Sequence, residues 1–385
     1  MKNIQLLNKI SKVGTDVFTS DYTLGENVQN PDGIMVRSAV MHDMTFAPEL
    51  KAIARAGAGV NNIPVDECAK QGIVVFNTPG ANANGVKELT IAALLLASRD
   101  IYGGITWANS LKGSEGVAKA VEKGKSAFAG VEIMGKTLGV IGLGAIGRLV
   151  ANAAVALGMN VVGCDPFLSP EAAKLLDPAV ATVTTFEDVF KVCDYLTVHV
   201  PATNDTKGMI NNGAFAVMKD GVRVVNLSRA ELVNSADMIA AVENGKVASY
   251  VTDFPTDEMV GIKGIVTIPH LGASTEEAED NCAKMAAAQL IDYLENGNIK
   301  NSVNYPTLVL DREGFNRVAV LHCAESSAAA SVNAILADNG IVPAHFMTAT
   351  KGAVAYTVAD FANDVTSAIT DKIAGVDGVI RVLTF

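Results

Sequence analysis

The chain has 385 residues, more than one ordinary core accommodates, and so predicts two or three domains. Hydrophobic residues make up 49% and charged residues 18%, the balance of a packed globular chain rather than a long disordered one. A formal charge of −11 argues against a nucleic-acid or anionic-membrane surface, although a local basic pocket can still hold a small acid.

Five cysteines (Cys68, Cys164, Cys193, Cys282, Cys323) are scattered without a CxxC or a paired spacing, which points to free thiols in a reducing compartment. Residues 1–14 contain no apolar core of signal-peptide length, and no apolar run reaches membrane-spanning length. The expected location is the cytoplasm.

Short apolar strand candidates alternate with helical patterns up to about residue 310. Residues 33–38 (GIMVRS), 50–57 (LKAIARAG) and 72–79 (GIVVFNTP) read as βα units. Residues 86–101 form one long, strongly apolar helix pattern, buried or linking two domains, and residues 102–136 are polar and glycine-rich with no strand. Strand candidates recur within 181–201, 221–228, 246–254 and 263–272, as expected for a doubly wound parallel sheet. A second long helix is expected over 274–297, opened by Ser274 with Glu277 as a capping box; its acidic start reads as first-turn charge. From near Gly314 the pattern becomes β-α-β-β-α-β in about 70 residues, the ferredoxin-like α+β order.

Residues 138–165 carry the strongest motif. An apolar strand, Leu138 to Ile141, runs into Gly142, Gly144 and Gly147 in GxGxxG spacing, followed by a helix, a second strand and Asp165. The first glycine permits a tight turn, the second lets backbone approach a pyrophosphate, and the third lets the helix pack closely on the sheet. Backbone N–H groups at Ala145, Ile146 and Gly147 open the helix, where the dipole favours phosphate. Asp165 can accept from a ribose 2′-OH and would repel a 2′-phosphate. The expected cofactor is NAD.

Arg229, Glu258 and His270 each follow a strand candidate, where ligands of open sheets gather. Oxidising a 2-hydroxy acid needs a guanidinium to clamp its carboxylate, an imidazole to take the hydroxyl proton, and a carboxylate to charge and orient that imidazole. These three residue types match that task. No metal site is expected, since the acidic cluster at Glu276, Glu277, Glu279 and Asp280 lacks thiol or histidine spacing.

These motifs resemble those of the D-isomer-specific 2-hydroxyacid dehydrogenases, over nearly the whole chain, and most of all the branch that acts on phosphoglycerate and carries a C-terminal ACT-type domain. The cofactor loop is matched by 140–148 (VIGLGAIGR), the arginine by Arg229 in VVNLSRAELVN, the glutamate by Glu258 and the histidine by His270 in PHLGAST. The resemblance implies that Asp253 lies near the nicotinamide amide and that His199, Pro201 and Thr206 in HVPATNDTKGMI run beneath the cofactor. It implies that Ala58, Gly59 and Val60 in RAGAGVNNI hold the substrate carboxylate through backbone N–H groups, and that Asn82 in NTPGANANGVKEL contacts substrate. Arg37 matches an arginine directed at a substrate phosphate, or is a solvated strand-edge charge; Lys87 either adds a second positive charge there or points to solvent.

The implied domains are a flavodoxin-like substrate domain (1–97 with 286–310), a Rossmann-like NAD domain (98–285) and an ACT-type domain (315–385). The implied reaction is NAD-dependent oxidation of 3-phospho-D-glycerate to 3-phosphohydroxypyruvate in serine biosynthesis, by a homodimer or homotetramer with neither nucleic-acid nor membrane partner. A reductase of hydroxypyruvate, glyoxylate or another small 2-keto acid, and an NAD-binding sensor, remain open. In the last domain His322 matches a serine-sensing histidine, but Ala324 and Val342 replace asparagines and Ser326-Ser327 replaces a Pro-Gly turn. Without those amides, serine feedback is in doubt.

Overall fold

A computed structural model describes residues 1–312, 315–362 and 365–385. The expected domain start at Gly314, and Asn363 and Asp364 of the last helix pattern, lie outside the described residues. The chain forms two compact units, residues 1–82 with 279–385, and residues 83–278.

In the first unit, strands β1 (Lys2–Leu7), β2 (Tyr22–Gly25), β3 (Gly33–Val36), β4 (Ala52–Arg55) and β5 (Val74–Phe76) form a parallel sheet in the order β2-β1-β3-β4-β5. That is the flavodoxin-like order. Both faces are covered, which is why β3 reads as a continuous apolar run. Ile4, Met35, Ala54 and Phe76 face one way, with Leu290 and Tyr293 of the helix Glu276–Asn296. Ile34, Ile53 and Val75 face the other, with Ile63 and Cys68.

The second unit holds β6 (Thr137–Ile141), β7 (Asn160–Cys164), β8 (Val180–Thr182), β9 (Tyr195–Val198), β10 (Val222–Asn226), β11 (Val247–Thr252) and β12 (Ile265–Thr267). All pair in parallel, in the order β12-β11-β10-β9-β6-β7-β8. The order reverses at β6, giving a Rossmann-type sheet with its switch point beside the glycine turn.

The long apolar helix differs from expectation. It spans Ala83–Ser98 and then stops, because Asp100 caps a separate helix, Ile101–Ser110, accepting from the Gly103 N–H at 2.9 Å. The two are bent by 71°. Ala93, Leu94 and Ala97 of the first share a core with Leu138, Val140, Val225 and Val251, so it packs on the second unit's sheet. Helices Ile101–Ser110, which starts at the last residue of the expected long helix, and Val117–Gly124, inside the segment expected to lack strands, contain no buried residue. The later capping box also moves: Thr275, not Ser274, accepts from the Ala278 N–H at 3.1 Å, while the Ser274 hydroxyl turns back to the His270 carbonyl. Among the described residues no single helix is long and apolar enough to cross a membrane.

Back in the first unit, β13 (Asn316–Cys323), β14 (His345–Lys351), β15 (Val354–Phe361) and β16 (Val379–Thr384) form an antiparallel sheet in the order β14-β15-β13-β16. With helices Ala328–Asp338 and Ser367–Ala374 this is the β-α-β-β-α-β arrangement of an ACT-like module. Val318, Val320, Ala359 and Phe361 meet those helices. The opposite face, through Ala319, Leu321, Tyr356, Val358 and Leu383, joins the core of the β1–β5 sheet. Arg317, 1% exposed, braces this junction. It donates to both Asp360 oxygens at 2.6 and 2.8 Å and to the carbonyls of Asn296 and Leu310 at 2.5 and 2.9 Å.

Candidate active site

The glycine turn follows β6. Gly142 adopts φ +88°, which favours glycine, and a Cβ there would press on the His199 carbonyl. A Cβ on Gly147 would overlap the Gly142 carbonyl oxygen, so the helix Ala145–Ala156 reaches its position only with glycine there. Gly144 has nothing within 4 Å of a built Cβ, leaving an open face before the N–H groups of Ala145, Ile146 and Gly147. That is a cradle for a pyrophosphate. Asp165 directly follows β7 and stays half-buried; its two oxygens accept from the Leu143 and Phe167 N–H groups, each at 2.9 Å. A carboxylate has about four acceptor sites, so ribose hydroxyls still find partners.

His199 directly follows β9 and is half-buried, its Nε2 3.0 Å from the Thr197 hydroxyl and its buried Nδ1 without a partner. Burial pushes this imidazole down to about 4, so it is neutral at pH 7. Thr206 donates to the Pro201 carbonyl at 2.6 Å and accepts from the Thr203 N–H at 2.8 Å, closing the exposed loop that follows.

Three adjacent strands carry the polar residues. In register, Asn226 lies opposite Thr252, and Thr252 opposite Thr267. Arg229, Asp253 and His270 stand just beyond those positions, at the carboxyl ends of β10, β11 and β12. Arg229 is exposed. Its turn is fixed by Asn226, whose amide donates to the Arg229 carbonyl at 2.8 Å, and by Ser228, whose hydroxyl donates to the Val198 carbonyl at 2.7 Å. Sequence reasoning passed over Asn226 and Ser228. The signal was a polar residue closing an otherwise apolar buried strand.

His270 is exposed, its ring 4.5 Å from that of Phe254 at 49°. Asp253 is 2% exposed and neither carboxylate oxygen has a hydrogen-bond partner. Burial raises its carboxyl above the ordinary range, against the opposing pull of the His270 and Arg229 charges. Glu258 lies in an exposed turn, and its own backbone N–H, then the Thr256 hydroxyl, hold its carboxyl below the ordinary range. Among the described residues no hydrogen bond or ion pair joins Glu258 to His270.

In the first unit, Arg37 and Arg55 stand at the registered ends of β3 and β4. Arg37 is ion-paired with Glu279 at 2.5 Å, and Arg55 Nε donates to the Arg37 carbonyl at 3.1 Å. Gly57 adopts φ +151°, a conformation that side-chain-bearing residues rarely take, so that loop favours glycine. Arg55 was not singled out from sequence. Ala58, Gly59 and Val60 follow, half-buried, with the Ala58 carbonyl accepting from Asn77 at 2.7 Å. Asn82 directly precedes the helix Ala83–Ser98 of the second unit, on which the Lys87 ammonium lies 3.6 Å from Glu88. In the ACT-like module both His322 ring nitrogens are engaged at 2.9 Å, by the Cys323 carbonyl and the Thr357 hydroxyl, while Val342 is 84% exposed.

Strand order, glycine cradle and acidic strand end define an NAD-binding domain of the hydride-transferring type. Residues 91–272 match the family described as D-isomer specific 2-hydroxyacid dehydrogenase, NAD binding domain, and this segment of the chain belongs to that family. It is 36% identical over 290 residues to the D-3-phosphoglycerate dehydrogenase of Rattus norvegicus, covering 73% of this chain and 52% of that one. The chain thus spans about half the length of that relative. A cofactor (NAD+)-bound 3-phosphoglycerate dehydrogenase from Entamoeba histolytica is 25% identical, with a TM-score of 0.60 over 80% of this chain and 99% of that one. A glyoxylate reductase from Paecilomyes thermophila is also 25% identical, with a TM-score of 0.65 over 78% of this chain and 98% of that one. NAD is the cofactor that this domain holds.

Proposed function

We propose that the protein oxidises 3-phospho-D-glycerate to 3-phosphohydroxypyruvate with NAD, a step toward serine. The observation that carries the reading is the placement of Arg229 and His270 at the carboxyl ends of strands in the same sheet as the glycine cradle. The name of the rat relative supports the substrate. Two guanidinium groups at neighbouring strand ends, Arg37 and Arg55, suit a phosphorylated acid.

Bound NAD supplies the acceptor for the hydride that leaves C2. Arg229 offers a planar pair of donors to the substrate carboxylate and sets which face of C2 is presented. His270 takes the hydroxyl proton as C2–O becomes a carbonyl, and returns it in the reverse direction. The exposure of both side chains leaves them available to substrate. Glycine-turn N–H groups hold the pyrophosphate, and Asp165 selects the unphosphorylated ribose.

The Arg37–Glu279 ion pair supports a second reading, reduction of a non-phosphorylated 2-keto acid such as glyoxylate or hydroxypyruvate, since it partly neutralises one of the two guanidinium charges. Steady-state kinetics with 3-phosphoglycerate and D-glycerate, each with NAD and NADP, separate the readings. The proposal expects a kcat/KM at least about 100-fold higher for the phosphorylated acid, as two charge-assisted contacts would supply. Equal values would favour the small-acid reading, and no absorbance change with either substrate or with 2-keto acids and NADH would leave an NAD-binding sensor.

We further infer a homodimer built on the NAD-binding unit, because the helix Ile101–Ser110 exposes Ile101, Tyr102 and Ile105 at 39, 66 and 55%. The internally satisfied His322, with Ala324 and Val342 in place of amides, supports an enzyme that serine does not inhibit.

A further inference from the structure

We propose that Glu279 is a specificity-determining residue: its carboxylate is the resident partner of Arg37, and the phosphate of a phosphorylated acid has to displace it. This rests on the reading above that Arg37 meets the substrate phosphate. Arg37 Nη2 and Glu279 Oε1 lie 2.5 Å apart. Their side chains are 41% and 40% exposed, so water competes for both groups and the pair opens at little cost. Among the described residues Arg37 is the one ion-pair partner of Glu279. The fold brings that carboxylate to the strand ends. Asp280, beside Glu279 on the helix Glu276–Asn296, accepts from the Ser11 hydroxyl, and a Cβ on Gly14 of the helix Lys12–Thr15 would overlap Ala283. The start of the long helix is therefore pinned against the first unit, with Glu279 beside the end of β3.

Arg55, at the registered end of β4, donates from Nε to the Arg37 carbonyl at 3.1 Å, so a second guanidinium belongs to the same corner. Cys282, buried three residues beyond Glu279, feels all of these charges: burial raises its thiol, Arg55 and Arg37 oppose that, and Glu279 adds to it. Two cations and one anion thus share this corner. A phosphate monoester brings roughly −1.5 to −2 charge at pH 7 and competes well for a guanidinium. Its arrival breaks the Arg37–Glu279 contact and sets two anions close together, which opposes binding. An acid without phosphate brings no charge to Arg37 and leaves the ion pair closed. Glu279 therefore weakens the phosphorylated acid selectively, and its removal sharpens the preference that the two arginines create.

The test is calorimetric titration of the full chain with 3-phosphoglycerate and with D-glycerate, under saturating NADH so that no hydride acceptor is present. Glu279→Gln tightens 3-phosphoglycerate by about 5-fold, the upper worth of an exposed pair, and moves D-glycerate by less than about 2-fold. Arg37→Gln weakens 3-phosphoglycerate by about 10-fold, and on that background Glu279→Gln changes it by less than about 2-fold, which shows that the two residues act on each other. Glu279→Ala repeats the gain if the glutamine variant folds poorly. Unchanged or weaker 3-phosphoglycerate binding in both folded Glu279 variants, or an equal gain for D-glycerate, overturns the inference. It falls alone if Arg37→Gln still weakens the phosphorylated acid. If Arg37→Gln leaves 3-phosphoglycerate binding unchanged, Arg37 does not meet the phosphate and both readings fall. The titration needs no turnover, so a protein inactive on every 2-hydroxy acid that shows the expected pattern refutes the proposed reaction and upholds the role of Glu279.

Discussion

The carboxylate of Asp165 accepts from the backbone N–H of Leu143 at 2.9 Å, so the residue just after β7 also braces the glycine turn after β6. Its other oxygen accepts from Phe167, at the same distance. One side chain therefore links the shape of the pyrophosphate cradle to the choice between ribose and its 2′-phosphate.

Asp165→Ser should weaken NADH binding by about 10- to 100-fold, the worth of one charge-assisted hydrogen bond, and leave NADPH binding equal or tighter. The unaltered protein should strongly prefer NADH. Calorimetric titration with both cofactors reads the two affinities directly, and similar values in the unaltered protein would remove the selective role of Asp165.

Arg229→Lys should lower kcat/KM by about 10- to 100-fold while leaving NADH affinity intact, since an ammonium is a point donor and cannot reproduce a planar two-point clamp. The turn loses the guanidinium's 2.6 Å bond to the Ser228 carbonyl but keeps the Asn226 bond to the Arg229 carbonyl and the Ser228 bond to Val198, which should hold it. Stopped-flow NADH formation checks the kinetics. Near-native rates would place the substrate carboxylate elsewhere.

Acid stability should report on His199. Its folded pKa of about 4 lies below the ordinary 6.5, so between these values the unfolded chain binds more protons than the folded one. The stabilising contribution is complete above about pH 6.5 and is lost as pH falls toward 4, up to roughly 3 kcal/mol. His199→Asn should flatten the fall in unfolding free energy across this window. A denaturant series at pH 7, 6, 5 and 4.5 tests it, and an unchanged slope would locate the acid sensitivity in other groups.

Asp360→Ala should destabilise the first unit by about 3–5 kcal/mol, because Arg317 would remain buried without its bidentate partner. A chain ended after Leu310 should fare worse and aggregate, since removal of β13–β16 uncovers the face that Ile4, Met35 and Phe76 share with Leu321 and Tyr356. Chemical denaturation and light scattering measure both effects. A soluble, fully active shortened chain would mean that this shared core is dispensable.

Much of the fold was legible in the sequence because its causes are local. GIMV in β3 reads as a strand covered on both faces, and Gly142 and Gly147 mark a turn and a close helix approach through backbone sterics that depend on a few neighbours. Boundaries resolved by competition between neighbouring polar groups were less legible. Asp100 divided one expected helix into two, and Thr275 displaced Ser274 as the cap. The fold class, the dinucleotide turn and the order of the β-α-β-β-α-β module follow from residue pattern alone, since periodicity, glycine sterics and turn chemistry act within a few residues. Only the tertiary structure decided that Asp253 is buried with bare oxygens while Glu258 is solvated, that Arg37 is paired with Glu279, and that the last sheet shares a core with the first. Burial, ion pairing and packing depend on residues brought together from distant parts of the chain, and no local spacing encodes those distances.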